Sequence, residues 1–193
     1  MQYTIFRTPV FRHILLFLSW AWLTLANWKV VGGEIPKEQK FVLIAAPHTS
    51  NWDFPFLIAM ACILRLEVYW MGKDTLFFGP FGPIMRWLGG IPINRTSAQH
   101  VVQSTVDAFE NAERLIVVIP PEGTRSKVRQ WKTGFYRIAV AANVPIGLSF
   151  LDFGRKVGGF LPTFYPTGDI EKDIAEIKDA YKDIKGKYPD MSR

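Results

Sequence analysis

Apolar residues fall in short runs along the chain, each closed by glycine, proline or charge, and the spacing inside each run separates strands from helices. Phe41–Ala46 and Leu115–Ile119 are continuously apolar over strand length and stop at Pro47 and at Pro120-Pro121. That is the pattern of strands buried on both faces. Residues 67–71, 145–150 and 160–165 predict three more strands. Between them the period changes. Residues 53–64 predict a helix with Pro55 tolerated in its first turn. In residues 97–113, Val102, Val106 and Phe109 recur at three- and four-residue spacing behind a cap at Thr96 or Ser97. Residues 132–142 predict a further helix ending at Asn143. Ile170, Ile174, Ile177, Tyr181 and Ile184 mark one face of a C-terminal helix capped by Asp169. This alternation implies an α/β fold with a mixed, largely parallel sheet flanked by helices. No repeat or linker divides the chain, so residues 1–193 read as a single domain.

Two segments fit neither period. Residues 14–28 (ILLFLSWAWLTLANW) carry no charge, yet fall short of the roughly 20 apolar residues of a spanning helix. Trp20, Trp22 and Trp28 crowd the place where a signal peptide would need small residues. Residues 10–31 are therefore expected to form an N-terminal hydrophobic helix that associates with a membrane, embedding in the interface rather than crossing it. Residues 74–90 intersperse Phe77, Phe78, Phe81, Ile84, Met85, Trp87 and Leu88 with two Gly-Pro pairs and a Gly-Gly. They read either as a core loop with one short helix or as an apolar surface touching lipid.

Charge adds a direction. The net charge is +6, and Arg125, Lys127, Arg129, Lys132 and Arg137 fall in thirteen residues with no acid except beyond their ends. Such a field suits an anionic ligand or membrane. Nucleic acid is not indicated, because no helix-turn-helix, zinc-finger or RNA-binding aromatic signature accompanies the charge. A single cysteine, Cys62, excludes a disulfide scaffold, and three scattered histidines do not make a metal site.

The sharpest local feature is Pro47-His48-Thr49-Ser50-Asn51-Trp52-Asp53, between a buried strand and a helix. On a continuous helix His48 and Asp53 would stand about 140° apart, so they meet only if the chain turns between them. Thr49, Ser50 and Asn51 are turn formers. A carboxylate on one ring nitrogen leaves the other to take a proton from a hydroxyl; the competing reading is a structural histidine capped by the aspartate. Ser50 stays open as a nucleophile beside it. Two further polar segments follow apolar ones: Gly89–Arg95, and Pro121–Ser126 containing Glu122, Gly123, Thr124 and Arg125. Arg95 and Arg125 present planar donor forks suited to phosphate or carboxylate. Glu122 also has a plain role open to it, an ion pair with Arg125 that ties the turn down. The glycine spacing is not that of a nucleotide P-loop.

Taken together, His48 with Asp53, Gly90-Ile91 with Arg95, Glu122-Gly123-Thr124-Arg125 and the late Val144-Pro145-Ile146 resemble, in order and approximate spacing, the motifs of the glycerolipid acyltransferase family. The resemblance is to the bacterial 1-acyl-sn-glycerol-3-phosphate (lysophosphatidic acid) acyltransferases in particular. The resemblance spans about residues 42–150 and implies a catalytic core at 41–165. It implies O-acyl transfer from acyl-CoA or acyl-carrier protein to the hydroxyl of a lysophospholipid, most simply 1-acyl-glycerol-3-phosphate, giving phosphatidic acid. His48 would be the general base and Asp53 its partner. Arg95 and Arg125 would hold the acceptor phosphate, in a pocket shaped by Glu122, Gly123 and Thr124. No metal or bound cofactor is implied, and the place implied is the cytoplasmic face of a bacterial inner membrane. The other readings are an acyltransferase for another lysolipid such as lyso-ornithine lipid, a lipid thioesterase or esterase using the same pair, and a non-catalytic lipid-binding membrane protein.

Overall fold

Among the described residues, seven strands form one sheet in the order β1-β7-β6-β2-β5-β3-β4. The computed structural model describes residues 3–93 and 98–191. The strands are β1 Lys29–Val31, β2 Lys40–Ala46, β3 Val68–Lys73, β4 Gly90–Ile93, β5 Leu115–Ile119, β6 Ile146–Asp152 and β7 Val157–Phe160. The helices are α1 Pro9–Leu25, α2 Asp53–Ile63, α3 Gly82–Trp87, α4 Ala98–Asn111, α5 Gly134–Ala141 and α6 Ile170–Ala180. β2 lies between β5 and β6 and is parallel to both; β5, β3 and β4 continue the parallel set. Among the strand pairs of the described residues, β6–β7 alone is antiparallel. The carboxyl ends of β2, β3, β4 and β5 therefore open at one edge, where an α/β sheet presents its loops to ligands.

Alternation along the strands divides the core. Val42, Ile44 and Ala46 of β2 pack with Val117, Tyr69, Ile146 and Leu148 beneath Phe109, Phe135, Ile138 and Ile177 of the three later helices. Phe41 and Leu43 face the other way, with Val68, Val118, Phe160 and Ala61 of α2. Outside that layer α1 lies on α2 through Leu23, Trp22, Phe56 and Met60, joined by Trp28. Each fully buried aliphatic or aromatic side chain contributes about 1.5–3 kcal/mol, so β2, buried on both faces, is the strand the domain can least lose.

Several boundaries differ from those expected, each for a local reason. The N-terminal helix ends at Leu25, and residues 29–31 form β1 beside β7 instead of continuing it. β4 contains Pro92, which an edge strand tolerates because one side of its ladder is open. β7 is hidden in Val-Gly-Gly-Phe: a Cβ on Gly159 would stand 2.0 Å from the Val31 carbonyl oxygen, so only glycine allows β1 to pair there. The strand expected at 160–165 reduces to a bridge between Phe164 and Ile146, as Pro162 cannot donate to a ladder. In residues 74–90 a 3-10 turn (Asp74–Phe77) precedes α3; Phe77 is buried while Phe78 and Phe81 are 72% and 68% exposed. The segment is thus both a short helix and an apolar surface. Asp169 caps α6 by accepting from the Lys172 amide, and α6 stops at Ala180. The cap expected at Thr96 or Ser97 lies outside the described residues.

Candidate active site

Pro47 leaves β2 at the open edge, and the chain turns at once so that α2 can begin at Asp53. The turn closes on one carboxylate oxygen. Asp53 Oδ2 accepts from the Thr49 and Ser50 amides, each at 2.9 Å, and lies 2.9 Å from His48 Nδ1. The same oxygen thus organises the loop and the ring. An ionised carboxylate can only accept, which places the proton on Nδ1 and leaves the lone pair on Nε2. Asp53 is buried and His48 partly exposed at the cavity.

The Ser50 hydroxyl is occupied in this turn, accepting from the Trp52 amide at 3.1 Å, and Ser50 is 5% exposed. It is a turn residue, not a nucleophile presented to the cavity. Burial pushes the Cys62 thiol up to about 12, against a hydrogen bond with Ser19 that lowers it, so Cys62 stays a neutral thiol.

The segment after β5 arrives beside this loop because β2 and β5 are paired up to Ile44 and Ile119. Gly123, at φ +65°, makes the turn that follows. Glu122 points inward: its Oε1 accepts from the His48 amide at 3.1 Å, and it is 6% exposed. Burial raises its pKa above that of an ordinary carboxylate, opposed by backbone hydrogen bonds and by His48. Glu122 Oε2 and Asp53 Oδ1 are buried without a hydrogen-bond partner among the described residues. Glu122 makes no ion pair with Arg125 there either. Its carboxylate braces the histidine loop instead.

His48, Asp53, Gly123, Thr124 and Arg125 line one cavity of about 1520 Å³. Arg125 is exposed at its wall, together with Lys132 and Arg137. Lys73, the last residue of β3, lines it too and was not singled out from sequence; the signal was its place at a strand end on the same edge. Arg95 follows β4, which ends at that edge, but lies outside the described residues. A second arm of the cavity runs between α2 and the sheet, lined by Leu43, Leu57, Met60, Leu64, Val68 and Phe160. A polar site with a proton acceptor therefore opens onto an apolar channel, in a volume above the roughly 300–1,000 Å³ of ordinary small-molecule sites. Among the described residues no group of three or more His, Cys, Asp or Glu converges as metal ligands would.

The outward side of α1 is apolar. Val10, Phe11, Ile14, Phe17, Leu18 and Leu25 are exposed on it, while Ser19 and Leu23 face inward. α1 meets α3 where Phe11 packs on Trp87 (5.3 Å between ring centroids) and Trp87 Nε1 donates to Thr8 Oγ1 at 3.1 Å. The exposed Phe78, Phe81 and Ile84 belong to the neighbouring segment. Among the described residues no helix is long and apolar enough to cross a membrane.

Comparison with known proteins adds a family and a fold. The family model described as Acyltransferase matches residues 27–147. No curated protein matches the chain significantly. Among solved structures, the 1-acyl-sn-glycerophosphate (LPA) acyltransferase PlsC from Thermotoga maritima superposes with a TM-score of 0.56. It is 18% identical, and the match covers 90% of this chain and 81% of that one, a likeness of fold.

Proposed function

This chain belongs to the acyltransferase family, and from that premise we propose that it transfers a fatty acyl group from a thioester, on coenzyme A or acyl-carrier protein, to the hydroxyl of a lysophospholipid. The acceptor proposed first is 1-acyl-glycerol-3-phosphate, with phosphatidic acid as product. The observation that carries the reading is the His48 Nδ1 to Asp53 Oδ2 contact of 2.9 Å, in a cavity that also holds Arg125 and an apolar arm.

His48 Nε2 removes the acceptor hydroxyl proton as the oxygen attacks the thioester carbonyl. Asp53 keeps the ring in the required tautomer and offsets the positive charge the ring then bears. The tetrahedral intermediate collapses with breakage of the carbon–sulfur bond, and the imidazolium proton goes to the departing thiolate. No acyl-enzyme forms, in keeping with the engaged Ser50 and the neutral Cys62. Arg125, with Arg95, holds the acceptor phosphate. Gly123 and Thr124 shape that pocket, and Glu122 holds the His48 loop against β5. The apolar arm along α2 takes an acyl chain out of water at about 0.8 kcal/mol per methylene.

A lysolipid acceptor resides in a bilayer, so the site works at a membrane surface. The apolar outer side of α1 and the exposed aromatics at 78–84 supply the contact, and the basic stretch 125–137 suits an anionic, cytoplasm-facing leaflet.

The test is thiol release from acyl-CoA and acyl-carrier-protein donors, with and without 1-acyl-glycerol-3-phosphate, comparing the native chain with H48A. Acceptor-dependent release, lost in H48A and matched by phosphatidic acid in the lipid extract, is the expected result. Acceptor-independent release would make the protein a thioesterase. Silence across a panel of lysolipid acceptors would overturn the catalytic reading.

A further inference from the structure

A second cavity, of about 620 Å³, lies behind the loop that carries Arg125. Ala46, Pro47 and Trp131 line both cavities and form the wall between them. The second cavity is ringed by Lys127 and Arg129 of the loop and by Lys178 and Lys182 of the C-terminal region. Lys178 sits 5.8 Å from the Trp131 ring centroid, and Trp131 packs edge-on to Tyr181 at 5.8 Å, so loop and C-terminal region meet here. Lys182 also meets Asp179 at 3.1 Å. The carboxylate inside the ring is Glu122, whose buried Oε2 has no partner among the described residues.

These features define a ligand by its chemistry. Four cations around one recess call for an anion. The unpartnered Glu122 oxygen calls for a hydrogen-bond donor on the same molecule, which a bare phosphodiester does not offer. Direct transfer without an acyl-enzyme also requires donor and acceptor to be bound together, and both carry phosphate. Arg125 in the first cavity can serve one of them.

We infer that the second cavity binds the phosphopantetheine arm of the acyl donor, its phosphate among Lys127, Arg129, Lys178 and Lys182 and an amide or hydroxyl of the arm donating to Glu122 Oε2. The inference rests on the acyl-transfer reading and assigns that reaction two separate anion sites, one on each side of the Trp131 wall. The arm is common to coenzyme A and carrier protein, so both donors use it.

Calorimetric binding to the full chain tests this without turnover. The probes are 4′-phosphopantetheine, pantetheine, coenzyme A, holo acyl-carrier protein and phosphatidylglycerol vesicles; the variants are K127A/R129A and K178A, with a thermal melt confirming the fold. Binding of phosphopantetheine, coenzyme A and holo carrier protein is expected to weaken about tenfold in each variant, while pantetheine, lacking phosphate, is unaffected. In turnover the donor KM rises with the acceptor KM unchanged, the reverse of R125A. Unchanged phosphopantetheine binding overturns the inference. So does a loss confined to coenzyme A, which would place its nucleotide there, or one seen only with phosphatidylglycerol vesicles, which would make the patch a membrane contact. The two readings fail separately. Thiol release with unaffected phosphopantetheine binding sinks the cavity assignment alone; absent turnover with binding lost in the variants sinks acyl transfer and leaves the cavity.

Discussion

Asp53 Oδ2 is shared between His48 Nδ1 and the amides of Thr49 and Ser50, all at 2.9 Å, so the atom that orients the imidazole is also the atom that closes its loop. Replacing it therefore has two consequences, separable by choice of variant. Asp53→Asn keeps an acceptor for the amides but cannot stabilise an imidazolium. Its kcat should fall about 10²–10⁴-fold with little change in either KM or in the melting temperature. Asp53→Ala should also lower the melting temperature, as two buried amides lose their acceptor. Steady-state thiol release and a thermal melt check both; an Asp53→Asn enzyme at native rate would remove the general-base role.

Glu122 separates geometry from charge. Glu122→Gln retains an acceptor for the His48 amide and should keep the histidine loop in place, whereas Glu122→Ala should not. Activity is expected in the order native, Gln, Ala. Burial holds the native carboxyl's pKa above its unfolded value. Between those two values the folded chain binds more protons than the unfolded one, so native stability falls as pH rises through that window. The melting temperature of Glu122→Gln relative to native should accordingly increase as pH is raised above the ordinary carboxylate range. A difference independent of pH there would show that Glu122 is not held at a raised value.

Arg125 is exposed on the cavity wall and makes no side-chain hydrogen bond or ion pair among the described residues, so its loss should act on binding. Arg125→Ala is expected to raise the KM for a phosphate-bearing acceptor about 10-fold or more with an unchanged melting temperature. Arg125→Lys should restore only part of this, since an ammonium lacks the two-pronged fork. Initial-rate kinetics with the acceptor varied decide it, and equal loss with an acceptor lacking phosphate would contradict the assignment.

The outward aromatics can be tested without touching the site. Phe78 and Phe81 are 72% and 68% exposed, so F78D/F81D should fold normally. At about 1.5–3 kcal/mol for each side chain taken out of water, the pair should shift vesicle partitioning by about 10²–10⁴-fold. Sedimentation with anionic vesicles measures it; an unshifted partition would move the membrane contact off this segment.

The continuously apolar strands Phe41–Ala46 and Leu115–Ile119, the α2 start at Asp53 and the Asp169 cap are legible in the chain because each rests on neighbours in sequence. β1, β4 and β7 are not. Lys-Val-Val, Gly-Ile-Pro-Ile and Val-Gly-Gly-Phe are too short or too rich in glycine and proline to announce strands; β1 and β7 pair with each other across more than a hundred residues, and β4 pairs with β3 across an intervening helix. The glycines that hide β7 are what let β1 approach it.

The site divides along the same line. His48 and Asp53, five residues apart with turn formers between, were readable as a pair, and Glu122 to Arg125 as a polar segment after a buried strand. What each carboxylate does was not. Parallel pairing of β2 with β5 decides that Glu122 turns inward to the His48 amide while Arg125 remains at the cavity. Sequence alone determined the local hydrogen-bonding options and the alternation of burial, because these depend on a few bonds and a period. Which loops share an edge, and which of their charges is buried or left to a ligand, was decided by strand order, a sum of non-local contacts that no short window of sequence contains.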